Sequence, residues 1–130
     1  MVLQTTLCLA SAAAVINFWL MMRIGKVRNA FKVWMGDGGH DALVRRMRAQ
    51  ANFIENTPLT LVLFGAVELA GKGSWWLAPL GAMFMLGRVA HAFGMDENGF
   101  RPGRPFGMIT TLGAQLVLVV VALGTATGRF

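Results

Sequence analysis

The chain alternates long apolar stretches with short polar ones. Residues 2–22 are 21 positions without a charge, and residues 105–128 are 24 more. Either run is long enough to cross a hydrocarbon core of roughly 30 Å as a helix. Two further segments, 48–70 and 74–95, match them in length but are less clean. The first carries Arg48, Glu55 and Glu68, and the second carries Arg88 and His91. Both end near glycines. The pattern predicts one domain, residues 1–130, with four transmembrane helices at about 2–22, 48–70, 74–95 and 105–128. The expected fold class is all-α, an integral membrane four-helix bundle. A secretory signal peptide is the competing reading of the first run, but such a peptide carries its basic residues ahead of the apolar stretch. Here Arg23, Lys26, Arg28 and Lys32 follow it.

Composition sharpens this reading. The chain is 55% hydrophobic and 14% charged, with a mean hydropathy of +0.56. Soluble domains are roughly a quarter charged, and a chain this small cannot hide so much apolar surface from water. The composition therefore argues against a soluble monomer, and against disorder, which needs low hydrophobicity and high charge. A single cysteine, Cys8, excludes a disulfide scaffold. The net charge of +6 arises from 12 Lys and Arg against 6 Asp and Glu. In a membrane protein such an excess belongs to cytoplasmic loops rather than to nucleic acid. The first loop, taken as residues 23–48, holds seven Lys and Arg, and the third, 96–104, holds Arg101 and Arg104. The opposite side has Lys72 and, near the C-terminus, Arg129. The positive-inside rule then places loops one and three in the cytoplasm and both termini outside. Trp19, Trp75 and Trp76 suit interfacial belts, although plain packing accounts for them equally well.

Two features lack the spacing that chemistry would need. The stretch Gly36-Asp37-Gly38-Gly39-His40-Asp41 reads as a loop turn. No Gly-Lys-Ser/Thr follows it to make a phosphate cradle, and His40 has no partner at helical spacing to make a metal site. Cys8 lies in an apolar span and reads as inert packing.

Ionisable groups inside a spanning helix cost several kcal/mol each unless paired, and so mark a site by default. Arg48, Asn52 and Glu55 are spaced i, i+4, i+7 and share one helix face. Arg88 and His91, at i, i+3, share another. Arg104 precedes the last apolar run, which carries Thr110, Thr111 and Gln115 further in. Those three suit interhelical hydrogen bonding, and Glu68 is expected to reach water at the outer end of helix two. Arg48 and Arg88 face a single glutamate, Glu55, and Arg104 and Arg28 add to the positive charge. Such a pocket near the basic surface calls for an anionic ligand.

The segment RRMRAQANFIENTP, residues 45–58, resembles the signature of the MAPEG family, membrane-associated proteins of eicosanoid and glutathione metabolism. That pattern, Arg-Ala-(His/Gln)-x-Asn-x-x-Glu followed closely by Pro, is met by Arg48, Ala49, Gln50, Asn52, Glu55 and Pro58. RVAHAFGM (88–95) is similar to the family's third-helix Arg-x-x-His, RPFGM (104–108) to the arginine that opens its fourth helix, and KVRNAF (26–31) to its first loop. The resemblance spans nearly the whole chain. It implies a homotrimer, of a bacterial inner-membrane type, that binds glutathione as co-substrate between neighbouring subunits on the cytoplasmic side. Arg28, Arg48, Gln50, Asn52, Glu55, Arg88 and His91 match glutathione-binding positions, with Lys26 as the substitute for Arg28 one register away. Gln50, on a different face, would meet the tripeptide from the neighbouring subunit. Arg104 matches the arginine that stabilises the thiolate, with Arg101 as the alternative.

The implied activity is conjugation of glutathione to lipophilic electrophiles, with glutathione-dependent reduction of lipophilic hydroperoxides as a second possibility. Guanidinium groups suit the two carboxylates of glutathione because the fork meets them bidentately, and Glu55 suits its ammonium. The chain contains no tyrosine. Asn56, His91 and Met95 stand where several eicosanoid-forming relatives place phenols, which argues against a specialised leukotriene or prostaglandin synthesis. Two other classes also fit four helices of this length. One is a small proton-coupled multidrug-type transporter, with Glu55 as the coupling carboxylate. The other is a non-catalytic membrane protein that binds glutathione.

Overall fold

The computed structural model describes residues 2–130. Four helices follow one another, α1 (Gln4–Phe31), α2 (Asp41–Leu69), α3 (Leu77–Met95) and α4 (Gly103–Ala126). No strand occurs among the described residues. α2 and α3 each pack against all three other helices, and α1 and α4 flank them. The α1–α2 loop and the α3–α4 turn lie at one end of the bundle, the end that carries most of the basic residues.

The helices are longer than their uncharged runs. α1 continues through Arg23, Lys26 and Arg28 to Phe31, and α2 begins at Asp41 rather than at residue 48. Most of the basic residues expected in the first loop are therefore helical. At 1.5 Å per residue, 28 and 29 residues reach about 42 and 43 Å, well beyond a hydrocarbon core of roughly 30 Å. Charge marks where a helix leaves lipid. It does not end the helix, because Arg and Lys are good helix formers. The ends are set by backbone chemistry. Lys32 closes α1 in the left-handed conformation at φ 54°, with its N–H donated to the Arg28 carbonyl. The expected turn follows, with Gly36, Gly38 and Gly39 all at positive φ. Asp37 Oδ1 accepts the Gly39 N–H at 2.8 Å, and His40 stacks on Phe31 with centroids 4.0 Å apart. α3 starts at Leu77, three residues later than 74, and α4 at Gly103, two earlier than 105.

The surface is apolar where water would demand polarity. Phe18, Leu59, Val62, Leu86, Ile109, Leu116 and Val120 all point outward, while Leu20, Phe53, Phe64, Leu77, Phe84 and Leu118 fill the core. α1, α3 and α4 are long and apolar enough to cross a membrane. α2 is less apolar because it carries Arg45, Arg46, Arg48, Glu55 and Glu68. Its interior Pro58 leaves the helix continuous. Cys8 is exposed on α1 rather than packed in the core. It lines a groove with Leu9, Ala12, Ala78, Ala82 and Met85.

α3 and α4 meet through small residues, which let backbones approach closely. A Cβ added at Gly107 would fall 2.6 Å from His91 Cβ, and one at Gly94 would overlap the backbone of Gly103 and Arg104. This seam holds the first turn of α4, and with it Arg104, against the last turn of α3.

Glu68 does not simply reach water. The first turn of α1 has no side-chain cap of its own. The Glu68 carboxylate supplies one from α2: it accepts the Thr5 and Thr6 N–H groups, each at 2.8 Å, and the Thr6 hydroxyl at 2.6 Å. An anion at the positive end of a helix also opposes its dipole. Glu68→Ala is expected to lower the thermal midpoint in detergent, by an amount equivalent to about 1 kcal/mol or more. Glu68→Gln, which retains one acceptor oxygen, should lose less. A Glu68→Ala protein that melts with the parent would show that the cap is dispensable.

Candidate functional site

Two of the concavities at the basic end lie on different faces of α2. The first is a cleft of about 190 Å³ lined by Arg48 and Asn52 from α2, His91 and Met95 from α3, and Arg104 and Met108 from α4. Four of the residues singled out from the sequence thus converge there from three helices. The second is a groove of about 480 Å³ between α1 and α2, lined by Met21, Ile24, Gly25 and Arg28 on one side and Met47, Gln50, Ala51 and Ile54 on the other. Residues 48 and 52 project roughly 100° round α2 from residues 47, 51 and 54, so a single chain cannot direct both sets at one small ligand.

Arg88 lies deep beneath the cleft, 2% exposed. Its Nη1 donates to Asn52 Oδ1 on α2, and its Nη2 donates to the Gly107 carbonyl on α4 at 2.6 Å. One guanidinium therefore ties three helices together and fixes the amide that lines the cleft. It does not pair with Glu55, which is exposed on α2 and lies outside the cleft lining. Its third donor, Nε, has no protein partner. His91, one turn further along α3, is buried with its ring among the cleft residues.

The ion pairs of the described residues are Arg23–Asp96, Arg45–Asp41 and Arg46–Asp96. None involves Arg48 or Arg104, so the cleft keeps two guanidinium groups without a carboxylate. Arg104 sits in the first turn of α4, whereas Arg101 lies in the preceding turn and does not line the cleft. On the other face Arg28 is half-buried. Its Nη1 donates to the Gly36 carbonyl at 2.7 Å and to the Val33 carbonyl at 3.3 Å, holding the α1–α2 loop beside the groove. Gln50 Nε2 donates to Asn17 Oδ1 at 3.3 Å. Lys26 is exposed on α1 and lines neither concavity.

The sequence reading missed an electrostatic knot beside the cleft. Arg23 is buried between the rings of Trp19 and Phe93, at 4.9 and 5.2 Å from their centroids, and pairs with Asp96. Arg46 donates to the Arg23 carbonyl at 2.8 Å. Trp19 thus packs on Phe93 and carries a cation. The available signal was the spacing of Trp19 and Arg23, four apart at the end of an uncharged run. The expectation for Gln115 holds: its amide donates to Thr60 Oγ1 at 2.9 Å and joins α4 to α2.

Apolar-faced helices gathered around a cationic cleft define a polytopic membrane protein. The chain belongs to the MAPEG family, whose model matches residues 6–124. It is similar to the inner membrane protein YecN of Escherichia coli, in strain K12 and in an O6:H1 strain. Each is 31% identical over 114 residues, covering 85% of this chain and 86% of the relative.

The Arg88 bridge can be tested directly. A lysine is a point donor that cannot reach Asn52 and Gly107 together. Arg88→Lys is therefore expected to destabilise the bundle by about 2 kcal/mol, the scale of a lost hydrogen bond to a charged group. Unfolding in detergent measures it, and an unchanged midpoint would remove Arg88 from its bridging role.

Proposed function

We propose that this protein is a glutathione transferase of the bacterial inner membrane, active as a homotrimer, which conjugates the glutathione thiolate to lipophilic electrophiles. The observation that carries the reading is the cleft in which Arg48, Asn52, His91 and Arg104 converge while both guanidinium groups lack a carboxylate partner. Family membership supports it, and the name of the Escherichia coli relatives supports the location. The basic end then faces the cytoplasm, with both termini outside.

The size of the cleft bears on assembly. At about 190 Å³ it is smaller than usual ligand pockets, which run roughly 300–1,000 Å³. A flexible tripeptide with two carboxylates needs more wall than one chain offers there. The groove with Arg28 and Gln50 has the complementary chemistry but opens on the other face of α2. Apposition of the groove of one subunit to the cleft of the next completes the site. Arg28 and Gln50 of one copy, with Arg48, Asn52, Glu55 and His91 of its neighbour, then enclose the tripeptide, and Arg88 holds Asn52 in place.

Arg104 acts on the sulfur. A free thiol has a pKa near 8.5 and is mostly protonated at neutral pH. A cation beside the sulfur, once the neighbouring subunit closes the cleft from water, favours the thiolate by roughly one to three pKa units. Arginine suits the role because it stays charged and accepts no proton. With an aryl halide the sulfur lone pair forms the new C–S bond and halide leaves with the C–X electron pair. With a lipophilic hydroperoxide, two glutathiones are oxidised to the disulfide while the peroxide is reduced to alcohol and water. The transporter reading draws no support from Glu55, which lies on an exposed face of α2.

Thiolate absorbance on adding glutathione to the purified protein reports binding, activation and stoichiometry together. Arg104→Ala is expected to reduce that absorbance and to cut aryl halide conjugation at saturating glutathione by roughly tenfold or more at neutral pH. The loss should shrink as pH rises and the bound thiol ionises unaided. A variant as fast as the parent would remove Arg104 from the thiolate role. The shared seam has its own test. Arg28→Ala and Arg104→Ala proteins, each impaired alone, should recover conjugation when co-expressed, because mixed trimers contain seams with both residues intact. Absence of recovery, with mixed trimers isolated, would show that both arginines serve one subunit.

A further inference from the structure

The helices α3 and α4 run antiparallel, and their close contacts fix a register. A Cβ added at Gly94 would overlap the Arg104 backbone, one at Gly107 would fall 2.6 Å from His91 Cβ, and one at Gly87 would overlap the Thr110 hydroxyl. His91 therefore stands about one helical turn deeper in the bundle than Arg104, roughly 5 Å along the axis. Both residues line the same cleft. A sulfur held by Arg104 at the basic end thus has His91 on its inner side, the side from which a molecule dissolved in the bilayer arrives.

The residues of the lining differ in what they can do with a proton. Arg48 and Arg104 keep theirs at any working pH, and the Asn52 amide and the thioethers of Met95 and Met108 exchange none. Of the six residues that line the cleft, His91 alone can take up and give back a proton near neutrality. No carboxylate pairs with its ring. The charged groups around it are Arg88 on its own helix, Arg104 on α4 and Arg48 on α2. Conjugation to an aryl halide makes no use of a proton donor at the leaving group, because halide leaves bare. Reduction of an alkyl hydroperoxide does, because its leaving group is an alkoxide, the conjugate base of an acid about as weak as water, whose pKa is roughly 15.7.

We propose that His91 is the acid–base residue of the cleft and suits the site to alkyl hydroperoxides of the bilayer, an inference that rests on the glutathione reading above. The imidazole accepts the thiol proton as the thiolate forms beside Arg104. The sulfur lone pair then bonds to the terminal peroxide oxygen, the O–O bond breaks, and its electron pair leaves on the inner oxygen. The imidazolium returns the proton to that oxygen. Glutathione and hydroperoxide thus become glutathione sulfenic acid and alcohol, the sulfur losing the two electrons that the peroxide gains. A second glutathione thiol condenses with the sulfenic acid to give the disulfide and water. The proton enters and leaves His91 once per cycle, so the ring ends as it began.

The leaving group isolates this role. A peroxy acid of matching apolar chain expels a carboxylate, whose conjugate acid has a pKa of about 4, and needs no proton donor. The experiment uses the full-length protein in nanodiscs at saturating glutathione, with uncatalysed rates subtracted. In His91→Gln and His91→Phe proteins, the rate on a lipophilic alkyl hydroperoxide relative to the peroxy acid is expected to fall roughly a hundredfold, the scale of a positioned proton donor. The aryl halide rate should follow the peroxy acid. Lost thiol activation, lost binding or misfolding lowers all three rates together, and the alkyl hydroperoxide alone bears the further loss. Variants that lose the three alike, or that keep the hydroperoxide rate, would make His91 a wall of the cleft and overturn the proposal. A parent protein that conjugates aryl halides but leaves alkyl hydroperoxides intact would overturn it too. A parent inert on all three substrates, with no thiolate absorbance on adding glutathione, would instead overturn the glutathione reading beneath it.

Discussion

The bundle depends on one guanidinium. Arg88 comes from α3, reaches the side chain of Asn52 on α2 and the backbone of Gly107 on α4, and does so buried from the surface. A buried charge is tolerated only if its donors are met by strong acceptors. That need fixes several other features. Asn52 must present its oxygen inward, so its remaining surface faces the cleft. Position 107 must be glycine, because a Cβ there would fall 2.6 Å from His91 Cβ and 3.2 Å from Arg88 Nη2. The close α3–α4 seam in turn presses the first turn of α4 against α3 and brings Arg104 beside His91. The same interaction that holds the helices together therefore sets the geometry of the cleft.

The arginines divide by surroundings rather than by position in the sequence. Arg23 and Arg46 share Asp96, Arg45 has Asp41, and Arg28 holds loop carbonyls. Of the exposed arginines without a carboxylate, Arg48 and Arg104 line the cleft, whereas Arg101 and Arg129 lie away from it. A sequence count of cations against carboxylates finds an excess but cannot say where it lies. The structure brings two of these cations to one cleft, and Asp96, next in sequence to the cleft residue Met95, is engaged by the Arg23 knot.

Much of the fold was legible from the uncharged runs, since hydropathy follows lipid thickness. The helix ends were not, because they follow capping chemistry that hydropathy ignores. The stretch from Arg23 to Phe31 is polar yet helical, and only Lys32 and the glycine turn stop it. The candidate cleft was legible in part as spacing: Arg48 with Asn52, and Arg88 with His91, each fall on one face, whereas Glu55, on the same stripe, lies outside the lining. What spacing conceals is the third dimension. Arg88 and Arg104 read alike in sequence, but one is sealed under the cleft and the other lines it. Glu68 looked like a solvated end residue because its partners, the bare N–H groups of Thr5 and Thr6, lie more than sixty positions away and leave no trace in side-chain pattern.

Depth separates the two arginines for a physical reason. An arginine at 2% exposure with fixed acceptors cannot turn toward a ligand without leaving Asn52 and the Gly107 carbonyl unmet. It can hold a neighbour in place, but it cannot answer a charge that arrives and departs. An exposed arginine at the rim has the opposite properties, since water satisfies it between encounters and a ligand anion displaces that water at modest cost. A site that must bind and release an anion needs both kinds, one buried to keep the walls still and one free to meet the charge. This chain carries an arginine of each kind one helix apart, Arg88 on α3 and Arg104 on α4, on helices joined through a close glycine seam.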